Sequence, residues 1–310
     1  MTRGGWFGAG LGLFDRFWNS AHAVLTMATL MWAGHAVALR MSVGEISPVL
    51  LMQSRWLVAF IILVLVFHHS VRRYLPLVLD NWRWVFGMGG VGLAGFSLLL
   101  VYAAQYTTAV NLGIMQGGIP AFVMLFGWLM FQTRIGWLQF FGLCSSLMGI
   151  LVLVSAGSLA TILALQFNIG DLMMVVACFC YGAYTLGLSR RLDMPPVIML
   201  CFFAFCAFFT CSLFSIVEYA RGDLVLPGFK GGLLLIYSAV FPTILAQTFF
   251  MRGVELTDAN RAGLYVNLVP VFAAFLAVMI LPERLYLYHL IALAMVLGGI
   301  YLAERGKRAN

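Results

Sequence analysis

The chain has 310 residues, of which 63% are hydrophobic and only 9% are charged, with a formal net charge of +7 and a mean hydropathy of +1.00. This composition excludes a soluble globular domain and favours helices that span a membrane, each about 20 residues long. The basic residues lie scattered between the apolar runs, which indicates loops that orient helices and excludes a nucleic-acid interface.

Successive apolar runs predict an all-α polytopic membrane protein with ten transmembrane helices. None of the runs alternates as a membrane β-strand would, so helices are the expected spans. The predicted spans cover about 21–41, 47–68, 82–104, 108–130, 136–154, 169–190, 196–219, 232–252, 259–280 and 285–303. The connections are short, and the longest are expected near 71–81, 155–169 and 218–231.

The charges between the spans predict the orientation of the chain. If both termini share one side, the loops and tails on that side hold thirteen basic residues against four on the other. This excess predicts that both termini are cytoplasmic. The N-terminal stretch is expected to be retained, because Asp15 and Arg16 interrupt the apolar core that a signal peptide requires. The six cysteines all fall inside apolar runs, so neither a metal site nor a cofactor is expected.

An internal repeat appears when the sequence is displaced by 150 positions. Thr107 then meets Thr257, and Arg134 meets Arg284. A weaker match joins the stretch 32–35 to 181–184 at a displacement of 149. The chain is therefore predicted to consist of two five-helix repeats, 1–157 and 158–310. Five is an odd number, so the two repeats must enter the membrane in opposite directions, an arrangement typical of transporters that work by alternating access.

The fourth predicted span of each repeat carries a helix-breaking pattern at the same place. Proline removes one backbone donor and displaces the carbonyl four residues earlier, which is tolerable at membrane depth only against protein or water. The pattern predicts a hinge that lines a cavity, and the alternative is a packing kink without a mechanistic role. The predicted hinge residues are Gly117, Gly118, Pro120, Gly263 and Pro270.

These features resemble the EamA repeat of the drug/metabolite transporter superfamily over residues 21–304. In the second copy, small residues, proline, a glutamate and a glycine pair stand where that family has them: Ala259, Gly263, Pro270, Glu283, Gly298 and Gly299. The first copy departs from the pattern, with Thr133 at the glutamate position and His35 where a small polar residue is usual. By general likeness the chain looks most like the YddG-type amino-acid exporters. The resemblance implies ten spans, alternating access, and export of amino acids or similar metabolites across a bacterial inner membrane.

Polar and aromatic residues inside the predicted spans are candidates for binding a solute. The candidates are Trp32, His35, Tyr102, Gln116, Tyr181, Tyr184, Gln247, Tyr265 and Asn267. His35 is either a neutral core histidine or a group that contacts solute or protons. Arg55 either binds a carboxylate or reaches the membrane interface by snorkelling, and the second interpretation is favoured. No Asp or Glu lies well inside a predicted span, which favours a neutral or zwitterionic solute and uncoupled, facilitated diffusion.

Three other functions compete with export of amino acids. The first is export of drugs or amphipathic cations, for which the lining offers no counter-charge. The second is a polytopic membrane transferase, but the cluster at 68–73 lacks the acid that such enzymes use, so no catalytic residue and no enzyme activity are expected. The third is a pore, for which no filter-like loop appears. The expected partners are a small-molecule solute and the lipid bilayer, without nucleic acid, and the chain is expected to work as a monomer.

Overall fold

The computed structural model describes residues 15–131, 136–160, 167–188, 192–257 and 265–308. Throughout these residues the chain forms helices with short connections, and no strand occurs among them. The helices are α1 (Ala21–Met41), α2 (Pro48–Asp80), α3 (Trp82–Tyr106), α4a (Ala109–Gln116), α4b (Ile119–Phe131), α5 (Trp137–Val154), α6 (Ile169–Gly187), α7 (Pro196–Arg221), α8 (Phe229–Leu256), α9 (Val269–Ile280) and α10 (Leu287–Arg308).

Six of these helices, α1, α2, α3, α5, α7 and α8, are long and apolar enough to cross a membrane. Shorter apolar helices cover 109–123, 169–185, 269–280 and 287–303. Large apolar side chains remain exposed on the outside of the bundle, among them Phe209, Ile216 and Phe275. A soluble protein would bury such side chains, whereas lipid solvates them. The fold is therefore that of an all-helical polytopic membrane protein.

Helix α2 is longer than the sequence predicts. The stretch 71–81 was predicted to be a loop, but α2 continues to Asp80 and bends at Phe67, where φ is −115° and ψ is 26°. The prediction was wrong because charged residues end an apolar run without ending a helix, and arginine is a good helix former. Beyond the bend, Leu75 and Leu79 are exposed on this extension.

Helices α5 and α10 pack against each other in antiparallel directions. A Cβ atom at Gly142 would overlap the carbonyl oxygen of Gly299, and one at Gly149 would lie 2.9 Å from the carbonyl oxygen of Ala292. Residue numbers rise along α5 as they fall along α10, which fixes the antiparallel direction. Small residues at these crossings let the two backbones approach closely, as is common between membrane helices.

Two further helix pairs run antiparallel in the same way. In α2 and α7, the Gln53 amide donates to Ser212 Oγ at 3.1 Å, and the rings of Phe60 and Phe205 lie 5.2 Å apart. In α4a and α9, a Cβ atom at Gly113 would overlap Ala273. Every residue of α4a from Ala109 to Met115 is buried, so this helix lies at the centre of the bundle.

The crossing of α5 and α10 gives a stability prediction that two neighbouring glycines test. We expect Gly299→Ala to lower the free energy of unfolding by about 1–2 kcal/mol, because the added methyl group meets the immovable backbone of α5. Gly298→Ala is the matched control, since nothing lies within 4 Å of its added methyl group. The midpoint of thermal unfolding in detergent measures both variants, and equal midpoints would contradict this packing.

Candidate functional site

Helix α8 is interrupted near its middle by a π-helical segment, Ala239–Leu245. Pro242 lacks the N–H that would bond the Ser238 carbonyl in a regular α-helix. The hydroxyl of Thr243 donates to that carbonyl instead, at 2.9 Å. Thr243 Oγ1 is buried, and its lone pairs remain able to accept a hydrogen bond from a neighbouring helix.

Arg55 of α2 supplies that donor. Its Nε atom donates to Thr243 Oγ1 at 2.8 Å, and its Nη1 atom donates to His35 Nε2 at the same distance. Its Cζ atom lies 4.7 Å from the centre of the Trp56 ring, within the range of a cation–π interaction. Arg55 is only 8% exposed. The snorkelling interpretation is therefore wrong, because the guanidinium is held inside the bundle by side chains of α1 and α8.

The hydrogen bond to Arg55 fixes the protonation of His35. A guanidinium can only donate, so Nε2 of His35 must accept through its lone pair. The imidazole is therefore neutral and carries its proton on Nδ1. Nδ1 has no hydrogen-bond partner among the described residues, and His35 is 7% exposed. This leaves a buried donor unused beside a buried cation.

No carboxylate pairs with Arg55 in the described part of the chain. The ion pairs found there are Lys230 with Glu45 and Arg252 with Glu255, at 2.9 and 3.1 Å, and both involve exposed side chains near helix ends. A buried charge without a counter-charge is costly in a protein interior and within a membrane. Such residues are a common mark of a binding site in membrane proteins.

Trp32 lies next to the same π-helical segment. Its Nε1 atom donates to the Pro242 carbonyl at 3.0 Å, and its ring lies 5.3 Å from that of Phe250. Gly34 lies between Trp32 and His35 on α1, and its lack of a side chain leaves room for the Tyr237 hydroxyl of α8. The structure thus brings the predicted pair Trp32 and His35 together with Arg55 at the break of α8.

A corresponding arrangement occurs on the other side of the bundle. Helix α3 contains a π-helical segment, Gly87–Leu93, and the predicted pair Tyr181 and Tyr184 of α6 lies beside it. A Cβ atom at Gly92 would be 3.2 Å from that of Tyr184, and the Tyr181 ring is 4.7 Å from Phe96. One member of each aromatic pair, Trp32 or Tyr184, therefore packs against the π-helical segment of the other half of the chain.

The remaining predicted binding residues have partners elsewhere. The Tyr102 hydroxyl donates to Glu218 at 3.4 Å, Gln116 bonds the carbonyl of Leu112 in its own helix at 3.2 Å, and Tyr265 contacts the ring nitrogen of His22. Gln247 and Asn267 are half-buried, the first in α8 and the second in the turn before α9. The hydrogen bonds described for Tyr102, Gln116 and Tyr265 do not join these residues to Arg55.

The predicted hinges coincide with helix ends. Helix α4a ends at Gln116, and the N–H groups of the following Gly117 and Gly118 bond carbonyls only three residues back, at 3.0 and 2.9 Å. Pro120 is then the second residue of α4b, and Pro270 the second residue of α9. A missing N–H is harmless in a first turn, so each proline begins a helix and does not kink a continuous one. Gly263 lies outside the described residues.

Three carboxylates of the second half of the chain bond to helix ends of the first half. Asp171 accepts from Thr107 Oγ1 at 2.5 Å and from Asn111 Nδ2 at 3.1 Å. Glu218 accepts from the backbone N–H of Val49 at 3.2 Å. Glu283 accepts from two backbone N–H groups at the start of α4a, at 2.8 and 3.0 Å. These bonds join the two halves at the end of the bundle where α1 finishes.

Sequence reasoning missed Ser238 and Thr243, and it did not predict the hydrogen bonds that hold Arg55. Pro242 was the available signal, since a proline in the middle of a predicted span frees a carbonyl that a neighbouring hydroxyl can take. The glycine-rich stretch 87–92 was the corresponding signal in α3.

The profile of the EamA-like transporter family matches residues 19–155 and 168–304. The "Uncharacterized transporter YetK" of Bacillus subtilis is 25% identical, over 91% of this chain and 86% of that protein. An "Uncharacterized transporter" of Archaeoglobus fulgidus is 26% identical, over 92% of this chain and 97% of its own length. A solved structure described as "Crystal structure of protein" shares the fold, with a TM-score of 0.62 and 18% identity over 94% of this chain and 98% of that chain. The chain therefore belongs to the EamA-like transporter family of the drug/metabolite transporter superfamily and carries two EamA repeats.

Proposed function

We propose that this membrane transporter exports neutral or aromatic amino acids, or similar small metabolites, across a bacterial inner membrane by alternating access. The observation that carries the proposal is the buried cluster of Arg55, His35 and Thr243, which joins both repeats inside the bundle. A polar cluster at this depth is expected of a solute site between repeats. The likeness to YddG-type exporters belongs to the same proposal.

The proposal includes two inverted repeats, 1–157 and 158–310, each with five spans. The six long helices and four shorter apolar helices supply the ten spans. Inversion is supported by the antiparallel pairs α2 with α7, α4a with α9, and α5 with α10, which join corresponding helices of the two repeats. A displacement of 150 also converts the contact of Gly142 with Gly299 into that of Ala292 with Gly149, as a two-fold axis between α5 and α10 would require. Both termini are cytoplasmic in this arrangement.

Alternating access would use the interruptions of the central helices. The break between α4a and α4b and the turn before α9 lie at matched positions, and each can absorb a change of backbone direction without breaking a regular helix. The solute would exchange by facilitated diffusion through a monomer embedded in lipid, with no cofactor.

Export of amphipathic cations is the second candidate, and Arg55 argues against it. A cationic solute would be repelled by a buried guanidinium that has no carboxylate partner among the described residues. Anions and zwitterions gain from the same charge.

Reconstitution into liposomes tests the proposed function. We expect vesicles preloaded with a neutral amino acid to exchange it for the radiolabelled form far faster than protein-free vesicles do. Labelled amines, sugars and a lipophilic cation serve as the comparison panel. Exchange of the lipophilic cation alone would favour a drug exporter, and the absence of flux for every solute would overturn the proposal.

A further inference from the structure

We propose that Arg55 binds the carboxylate group of the transported solute, and that His35 and Ser238 are neutral neighbours that complete the site. The inference rests on the proposed function, because it assigns the chemical group by which a solute is held. It restricts the solutes to molecules that carry one free carboxylate, as a neutral amino acid does.

The first argument is the balance of charge. Arg55 retains its positive charge under all ordinary conditions, and its recorded partners, Thr243, His35 and the sulfur of Met52, are all neutral. A purely structural arginine inside a membrane protein would be expected to have a carboxylate partner, because breaking or omitting such a pair leaves a costly buried charge. A single carboxylate from a solute would supply the missing negative charge, whereas two carboxylates would leave an excess of negative charge.

The second argument is the set of unused donors. Nε and Nη1 of Arg55 are engaged, but Nη2 makes no hydrogen bond with the described residues. Nδ1 of His35 and the hydroxyl of Ser238 are both fully enclosed and also lack partners there. Buried polar groups are nearly always satisfied, so the two enclosed, unused groups of His35 and Ser238, on residues linked to Arg55 by hydrogen bonds, indicate a ligand.

The third argument is the rigidity of the guanidinium. Thr243 holds Nε and His35 holds Nη1, while the Trp56 ring covers one face, so the plane of the guanidinium is fixed before a solute arrives. A fixed guanidinium binds a carboxylate with directional, charge-assisted hydrogen bonds. The cost of ordering the side chain has then already been met in folding.

The position of the site agrees with a carrier. Arg55 lies seven residues after the start of α2 and His35 six residues before the end of α1, so both are about 10 Å inside the ends of their helices. Thr243 lies near the middle of α8. Because α1 and α2 belong to the first repeat and α8 to the second, a solute bound here would be contacted by both halves.

The test compares phenylalanine with phenylalaninamide, which has the same side chain and amino group but no carboxylate. Binding is measured by the concentration of each probe that gives a half-maximal rise in the thermal midpoint of the purified protein. We expect wild type to bind the acid and to discriminate against the amide. Arg55→Gln should weaken binding of the acid about ten- to a hundredfold, as loss of a hydrogen-bonded charge predicts. It should not weaken binding of the amide, because the amide has no carboxylate and its ammonium group is repelled by the guanidinium. Arg55→Lys should bind the acid with an affinity between those of wild type and Arg55→Gln.

Lys230→Gln is the matched control, because it removes a positive charge from an exposed side chain paired with Glu45. It should behave as wild type with both probes. The inference is overturned if wild type binds acid and amide equally or binds no acid, or if Arg55→Gln weakens both probes by the same factor, as a purely structural arginine would. Should Arg55→Gln fail to fold, Arg55→Lys and the wild-type comparison decide. Binding of the acid without any flux in liposomes would instead refute the proposed function and leave the carboxylate site standing.

Discussion

Replacing Pro120 and Pro270 together with alanine is expected to slow solute exchange about tenfold, which corresponds to roughly 1.4 kcal/mol on the barrier. Alanine at position 120 regains an N–H that can bond the Gln116 carbonyl across the break between α4a and α4b. Alanine at position 270 can bond the Val266 carbonyl in the same way. Both changes favour continuous helices, so the two turns become less able to bend.

Initial rates of amino-acid exchange in liposomes measure this effect, after size-exclusion chromatography has shown that the variant is folded. The matched control is the double variant Pro76→Ala with Pro227→Ala, which removes two prolines from the extension of α2 and from the connection between α7 and α8. We expect the control to exchange at the wild-type rate. A rate that is unchanged in the hinge variant, or lowered equally in both, would mean that the two breaks serve packing alone.

Helix positions were largely predictable because membrane spans depend on local composition. The prediction of 21–41 coincides with α1, that of 136–154 lies within one residue of α5, and that of 196–219 within two of α7. Each of these runs is long, uniformly apolar and bounded by polar residues, proline or glycine, so the cost of placing charge in lipid sets its ends. Where a helix continues past the end of its apolar run, as α2 does after Phe67, this cost no longer marks the end.

The interruptions of the helices were only partly predictable. Glycine and proline located the break between α4a and α4b and the turn before α9, but not their form, because a proline that kinks a helix and one that starts a helix give the same local sequence. The π-helical segments of α3 and α8 were missed. They depend on which neighbouring side chains take the freed carbonyls, and Trp32 and Thr243 are such neighbours.

Arg55 shows why the site itself could not be derived from the sequence. Local sequence places a guanidinium within an apolar run, and snorkelling is a sound expectation for such a residue. Its actual position is decided by a hydroxyl 188 positions away and an imidazole 20 positions away. Only the packing of α1, α2 and α8 brings these three groups together, and no pattern within a single helix reports it. The repeat indicated that the two halves face each other, but not which side chains meet.

Replacing Glu283 with alanine is expected to lower the free energy of unfolding by about 2–3 kcal/mol, the worth of two charge-assisted hydrogen bonds to a partly buried carboxylate. Its two oxygens accept from the N–H groups of Ala109 and Val110, and the side chain of Thr108 accepts from Asn111. Together they satisfy three donors that the first turn of α4a would otherwise leave unpaired. The negative charge also complements the positive end of that buried helix.

Glu283→Gln should lower the free energy of unfolding about half as much as Glu283→Ala does, since the amide keeps one acceptor oxygen but no charge. Glu45→Ala is the matched control: it also removes a carboxylate between the two halves of the chain, but one whose recorded partner is the exposed Lys230. An exposed pair of this kind contributes about 0–1 kcal/mol. Thermal midpoints in detergent compare the three variants. If Glu283→Ala were no less stable than Glu45→Ala, the start of α4a would have to draw its stability from apolar burial alone. The position of this central helix would then not depend on the connection between α9 and α10.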